Sequence, residues 1–392
     1  MHVSTRHSLA GLALLCSLLP SPPSRAADTY DISVVLPLTG PAAFLGTAEQ
    51  RALQRFEKTA GATQGISGRP VHFVFLDDQS SPQTAVQLAT QLGSVKPAVV
   101  LGSAVVGMCN AMAPLMRRGP VMYCLSPGIY PAAGGFVFSS SNATRDLMAA
   151  QLRYFSARGW KKIAVITSTD ASGTDAQRHA RELASLPENK DLQIVAETTF
   201  NPTDVSAAAQ VARLKAAEPQ AVIAWSTGAA IGTVFKAILD AGLEVPVATT
   251  DGNMTYAQMR QYADILPKQL YIPSPEWPHT DHAEVSPDVA RAKQQFFAAF
   301  EGTNPPDAAS SFAWDPALLV VSALQQLGPG ATAEQLRDHL AKLKGFAGIN
   351  GIYDFTKTPQ RGLDDSNVVV TRWDPAAKAW AIVSHPRGLP LD

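Results

Sequence analysis

Along most of the chain, short runs of β-branched and aliphatic residues alternate with longer, alanine-rich stretches whose apolar positions recur at helical spacing. Alternation of that kind predicts repeated βαβ units around parallel sheets. Two series can be read. The first has strands over 31–36, 71–77, 98–101 and 121–124, with helices near 48–60, 82–94 and 108–117. The second has strands over 162–167, 192–200, 221–225 and 247–250, with helices near 175–185, 205–216 and 228–241.

Between them, the polar stretch Ser139-Ser140-Ser141-Asn142 and a helix over 146–158 read as a passage from one lobe to the other. A second passage is expected at 272–278, where Pro273, Pro275 and Pro278 predict a stiff extended crossing and argue against a central strand. Helices over 287–300, 312–326 and 333–343 return the chain to the first lobe, and a strand-rich tail runs over 348–384. The predicted division is 27–142 plus 276–346 for lobe 1 and 143–275 plus 347–392 for lobe 2. Two domains also suit the length of 392 residues, which exceeds what one core usually supports.

Before the first series, Arg6 and His7 precede an apolar run from Leu9 to Leu19, and Ser24-Arg25-Ala26 places small residues where a signal peptidase reads. Residues 1–26 are thus expected to be a signal peptide, with export to follow. The run falls short of the roughly 20 residues needed to span a bilayer. Cys16 follows Leu14-Leu15 and lacks the small residue that a lipid-attachment signal places before its cysteine. Cys109 and Cys124 then remain. A bridge between them and a pair of free buried thiols are both compatible with an exported chain. A net charge of -1 and 17% charged residues argue against nucleic acid and anionic membrane surfaces as partners, since both require a basic face.

An enzyme reading finds little support. There is no Gly-x-Ser-x-Gly elbow, no Gly-x-x-x-x-Gly-Lys-Ser/Thr loop and no Gly-x-Gly-x-x-Gly turn after the first strand. His279, Asp281, His282 and Glu284 have the residue types of a zinc site, yet their spacing within one proline-rich loop does not close a tetrahedral shell, and no metal is expected. Asp77-Asp78 ends a strand, where acids commonly cap the next helix. Binding is better supported, because turn-forming segments at 38–46, 102–107, 126–130, 168–173 and 250–252 all follow strands. Ligands of open α/β sheets sit outside the carboxyl ends of the strands, and the N–H groups of helix starts there donate to carboxylates.

Several of these segments carry a family signature. The run 34–41, Val-Val-Leu-Pro-Leu-Thr-Gly-Pro, with Gly46, then Asp77-Asp78-Gln79-Ser80-Ser81-Pro82, Leu101-Gly102-Ser103 and Ser126-Pro127, closely resembles the leucine/isoleucine/valine-binding type of ABC-transporter periplasmic proteins. The resemblance extends in order from about Asp31 to Trp373. It implies an α/β fold of two Rossmann-like lobes joined by three crossovers, near Ser141, Pro275 and Phe346, that closes over a small ligand. It further implies a periplasmic location, a membrane permease as partner, no cofactor and no catalysis; a monomer is expected because no long heptad appears.

Among amino-acid binders of this type, the ligand carboxylate meets a serine at the start of the helix after the third strand, then backbone and a threonine after Ser-Pro. Those positions correspond here to Gly107 or Met108, Gly128 and Tyr130. The second-lobe tyrosine position holds Ser172-Gly173, and the acid that grips the ammonium corresponds to Asp251. Ser103 and Thr227 complete the polar candidates. Phe44, Leu45, Tyr130, Trp225 and Phe312 are candidates for an apolar wall suited to an aromatic ring. The ligand therefore stays open between a hydrophobic amino acid and an aromatic or other organic acid. A sensory module of the same fold and a secreted α/β hydrolase are the remaining alternatives.

Overall fold

The computed structural model describes residues 1–2, 28–61, 65–278 and 285–391. The signal-peptide segment, Cys16 and the His279, Asp281, His282 and Glu284 cluster lie outside the described residues.

Strands β1 (Tyr30–Leu36), β2 (Val71–Asp77), β3 (Val99–Gly102), β4 (Val121–Cys124) and β5 (Val137–Ser139) form a wholly parallel sheet in the order β2-β1-β3-β4-β5. Successive strand side chains point to opposite faces, so a strand covered on both sides must be apolar throughout. The side chains divide accordingly. Ile32, Val34, Leu36, Val99, Leu101, Val121 and Tyr123 join the core beneath helices Ala43–Phe56 and Ala308–Leu327. Val35, Val100, Met122 and Cys124 join the opposite core, beneath helices Pro82–Val95 and Val106–Met112.

The second lobe repeats the scheme with β6 (Lys162–Ser168), β7 (Gln193–Phe200), β8 (Ala221–Trp225), β9 (Val247–Ala248) and β10 (Leu270–Pro275). The hairpin β11 (Lys344–Gly348) and β12 (Gly351–Asp354) stands apart, whereas β13 (Val368–Asp374) and β14 (Ala379–Ile382) complete a seven-stranded sheet in the order β14-β13-β10-β9-β8-β6-β7. Ile163, Val165, Ile223 and Trp225 face one core of this lobe, and Ala164, Ile166, Val222 and Ala224 the other.

Three expectations are corrected. The proline-rich crossing is a central strand: β10 lies between β9 and β13, with Pro273 opposite Val370 and Pro275 opposite Val368. Backbone parity explains the tolerance. The carbonyls of Gln269 and Tyr271 accept from Val247 and Thr249 on the β9 side, so Pro273 and Pro275 turn their missing N–H groups toward that side, beyond where β9 ends at Ala248. The alternate residues Ile272 and Ser274 keep the pairing with β13.

The third crossover is also displaced from Phe346. Ile349, Tyr353, Phe355 and Leu363 pack in the first-lobe core, and the chain joins the second sheet only at β13. The cause is Asp315, whose buried carboxylate accepts from the Ile349 and Asn350 N–H groups and the Tyr353 hydroxyl at 2.8–3.0 Å, fastening the hairpin turn to helix Ala308–Leu327.

Cys109 and Cys124 are joined as a disulfide, with Cα atoms 6.0 Å apart. Asp77 and Asp78 do not cap the following helix, whose cap is Ser81. Asp77 instead accepts from the Leu38, Thr39 and Gln79 N–H groups, tying the ends of β1 and β2 together.

Candidate functional site

The carboxyl ends of both sheets meet across a cleft whose rims touch. At one rim Ala229 N–H donates to the Pro41 carbonyl at 3.2 Å; at another the Tyr130 hydroxyl donates to Asp175 Oδ2 at 3.1 Å. The Ala308 N–H reaches the Met254 carbonyl at 3.2 Å nearer the crossovers. The lobes are therefore closed on each other. Between them lies a cavity of ≈ 20 Å³. That is room for little more than one water, far below the several hundred Å³ of a typical ligand pocket, so a solute of amino-acid size enters only when the lobes separate.

From the first lobe, Leu45, the segment Ala104 to Val106, Ser126-Pro127 and Phe312 line this cavity. From the second come Ser172, Trp225, Thr227 and the segment Thr250 to Gly252, with Thr144 at the crossover. Local chemistry puts them there. Helix Ala171–Ala184 begins at Asp170, whose side chain accepts from Gly173 N–H at 2.9 Å, and the next hydroxyl, Ser172 Oγ, lies 3.0 Å from Thr227 Oγ1. A Cβ at Gly173 would run into the Ser168 backbone, so only glycine lets this helix start so close to β6. Helix Val106–Met112, by contrast, has no side-chain cap, leaving first-turn N–H groups free of a capping oxygen.

Asp251 is the charged group of the site. It is fully buried; Thr250 Oγ1 donates to its Oδ1 at 3.0 Å and Ser141 Oγ to its Oδ2 at 3.3 Å. Burial pushes its carboxyl up to about 7 in spite of those hydroxyls and the Gly252 N–H. Around it the lining is apolar: Trp225 and Phe312 are each anchored in the core of their own lobe and reach the cavity edge.

Of the candidates read from the sequence, Leu45, Ser172, Thr227, Asp251, Trp225 and Phe312 come together here. The others lie elsewhere. Ser103 is buried below the cavity with its hydroxyl donating to Asp78. Met108 packs in the core under β3 with Cys109 and Met112, and Gly107 does not line the cavity. Gly128 lies against Val106, where a Cβ would strike that side chain. Phe44 meets Tyr262 of the second lobe edge-on, with ring centroids 6.5 Å apart, and lines a separate cavity. Tyr130 is half exposed at the rim, 2.8 Å from His179 Nε2 and off the cavity altogether.

Residues that sequence reasoning missed are those of the crossovers. Thr144 lines the cavity and Ser141 bonds Asp251. Arg361 is buried, its guanidinium donating to the carbonyls of Pro127, Ile129, Ser140 and Ser141 at 2.6–3.3 Å, which holds the post-β4 loop against the first crossover. Asn142 bonds the Asp364 carbonyl and Asn367 Oδ1, linking the first and third crossovers. The polar run 139–142 was the available signal; nothing local marks Arg361.

Comparison with known proteins agrees with this arrangement. A family model described as periplasmic binding protein matches residues 29–378. A Leu/Ile/Val-binding protein homolog of Brucella melitensis is 25% identical over 237 residues, covering 58% of this chain and 63% of that protein, so the match spans less than two thirds of that relative's length. Among solved structures, a branched-chain amino acid transporter substrate-binding protein of Streptococcus pneumoniae in complex with isoleucine superposes with a TM-score of 0.74 at 21% identity, covering 91% of this chain and 99% of that one. An ABC-transporter solute-binding protein of Rhodopseudomonas palustris in complex with benzoate gives 0.77 at 20% identity, covering 93% and 97%. Among the described residues no helix is long and apolar enough to cross a membrane. With the family model matched over nearly all of two lobes, three crossovers and a cleft at the strand ends, this chain belongs to the periplasmic binding proteins.

Proposed function

We propose that the protein captures an amino acid with an apolar side chain in the Asp251 cleft, outside the cytoplasm, and presents the closed form to an ABC permease. The observation that carries this is Asp251. A buried carboxyl with only two hydroxyl side-chain partners is costly when ionised, and a ligand ammonium is the group that would offset the cost. Leu45, Val106, Trp225 and Phe312 supply an apolar surround for the side chain. The uncapped start of helix Val106–Met112 borders the same cavity and suits the ligand carboxylate. A ligand touching both lobes stabilises the closed arrangement over the open one, which is the signal a permease would read.

Trp225 and Phe312 also support a second reading, an aromatic acid as ligand, which is the ligand class of the benzoate-bound relative. Calorimetry with leucine, isoleucine, valine and benzoate, on the wild type and on Asp251→Asn, separates the two. The first reading expects binding of the aliphatic amino acids and a loss of at least tenfold in Asp251→Asn. Binding of benzoate in the cleft, with no amino acid bound, would establish the second instead.

A further inference from the structure

A second and much larger cavity, ≈ 460 Å³, opens between the lobes on the outer side of helix Ala43–Phe56. Phe44 and Arg51 of the first lobe and Tyr256 and Arg260 of the second line it, together with Asp307. Its size falls within the range of small-molecule sites, unlike that of the Asp251 cleft in the closed form.

The charges are not balanced within the protein. Asp307 is buried and already engaged, its Oδ1 accepting from Ser310 N–H at 3.1 Å and Ser310 Oγ at 2.9 Å as the cap of helix Ala308–Leu327. Arg51 is held by a bond from Nη2 to the Pro305 carbonyl at 3.2 Å and lies over the Phe300 ring at 5.7 Å, yet its buried Nε has no hydrogen-bond partner among the described residues. Arg260 is exposed and makes no hydrogen bond or ion pair among the described residues. Two guanidinium side chains and one capped carboxyl thus line the cavity, which leaves one positive charge unmatched beside two aromatic rings.

We infer that this cavity is a second ligand site, distinct from the Asp251 cleft, that takes a small aromatic monoanion of the carboxylate class. The carboxylate meets Arg260 and Arg51, whose fork geometry suits it, and the ring lies against Phe44 and Tyr256. Because each lobe supplies one ring and one arginine, the occupant binds the closed arrangement. It therefore strengthens binding in the Asp251 cleft, and by linkage the cleft ligand strengthens it by the same factor. The inference goes beyond the reading of the cleft and holds whichever ligand the cleft takes.

Benzoate is the probe. Calorimetric titrations are made on the wild type, Arg260→Glu and Thr47→Trp; both positions are exposed, Thr47 also lines the cavity, and melting curves confirm that the variants fold. The expected result is benzoate binding to the wild type, weakened at least fivefold in Arg260→Glu and blocked in Thr47→Trp. Absence of benzoate binding to the wild type, or equal affinity in all three proteins, overturns the inference; equal affinity would place benzoate in the Asp251 cleft. Leucine binding and its response to Asp251→Asn are measured in parallel, so failure of the cleft reading is scored separately.

Discussion

The hydroxyl of Tyr130, on a first-lobe loop, lies 2.8 Å from Nε2 of His179, on the second-lobe helix Ala171–Ala184. The same hydroxyl donates to Asp175 Oδ2, while Glu182 Oε2 lies 3.0 Å from His179 Nδ1 and Arg178 lies over the Tyr130 ring at 5.5 Å. Burial and the Asp175 charge push the phenol up, so it stays a neutral donor at physiological pH. Tyr130 thus bridges the two lobes across the cleft mouth and does not line the cavity at Asp251.

A latch made only in the closed state raises ligand affinity by favouring that state. Tyr130→Phe removes the donor and keeps the ring. A hydrogen bond to a charged group contributes about 1.5–3 kcal/mol, so affinity for the cleft ligand should fall by roughly tenfold or more. Small-angle scattering of the ligand-free variant should show a larger radius of gyration than the wild type. Unchanged affinity together with an unchanged radius would show that the contact does not control closure.

Two buried carboxyls make stability depend on pH in an unusual direction. Burial pushes Asp251 up to about 7 and Asp315 up to about 6, both above their unfolded values near 4. Between pH 4 and these folded values the native state binds more protons than the unfolded chain, so their contribution is complete below about pH 4 and is lost as pH rises through 6 and 7. The ligand-free protein should melt at a higher temperature at pH 5 than at pH 8. In Asp251→Asn that difference should shrink. An unchanged difference in the variant would show that Asp251 is ionised throughout.

The Cys109–Cys124 bridge closes a short loop, with a sequence separation of 15, between helix Val106–Met112 and the end of β4. Loop closure of that length is worth about 3 kcal/mol in the chain-entropy picture. Replacing both cysteines with serine should lower the denaturation midpoint accordingly, because buried hydroxyls also replace sulfur in an apolar core. Urea unfolding with and without reductant checks this: reductant should destabilise the wild type and leave the double variant unaffected.

Glu49 lies wholly inside the first lobe on helix Ala43–Phe56, and neither carboxyl oxygen has a hydrogen-bond partner among the described residues. Burial, reinforced by Asp78 and Asp307, holds its carboxyl well above the usual range. The protonated form is thus favoured, and ionisation at high pH is increasingly costly. Glu49→Met, of similar length and without the polar atoms, should raise the melting temperature at pH 8 more than at pH 5. A drop at both pH values would instead assign Glu49 a structural partner.

Much of the fold is legible in the chain itself. Runs such as Val34-Val35-Leu36 and Val99-Val100-Leu101 are apolar at every position because both faces of each sheet are covered, and strands of that kind announce themselves locally. Asp251, Ser172 and Thr227 were legible for a related reason: they stand at strand ends or the helix start that follows, where the backbone itself places them at the cleft. The prolines of β10 were misleading because local geometry says only that a backbone N–H is missing. Which neighbour that absence faces, and where β9 ends, is decided by pairing with residues far away in sequence.

The sequence by itself determined that two parallel α/β series exist, roughly where the chain passes between them, and that an acid stands at the mouth of the second. Only the tertiary structure decided which side chains share the cleft. It carried Tyr130 to the rim and Met108 into a core, and it joined Ser141 and Arg361 to the site, because these placements depend on what packs against each loop from another element or from the opposite lobe. Strand and helix periodicity follows from the backbone, whereas the direction of a loop side chain follows from its distant neighbours.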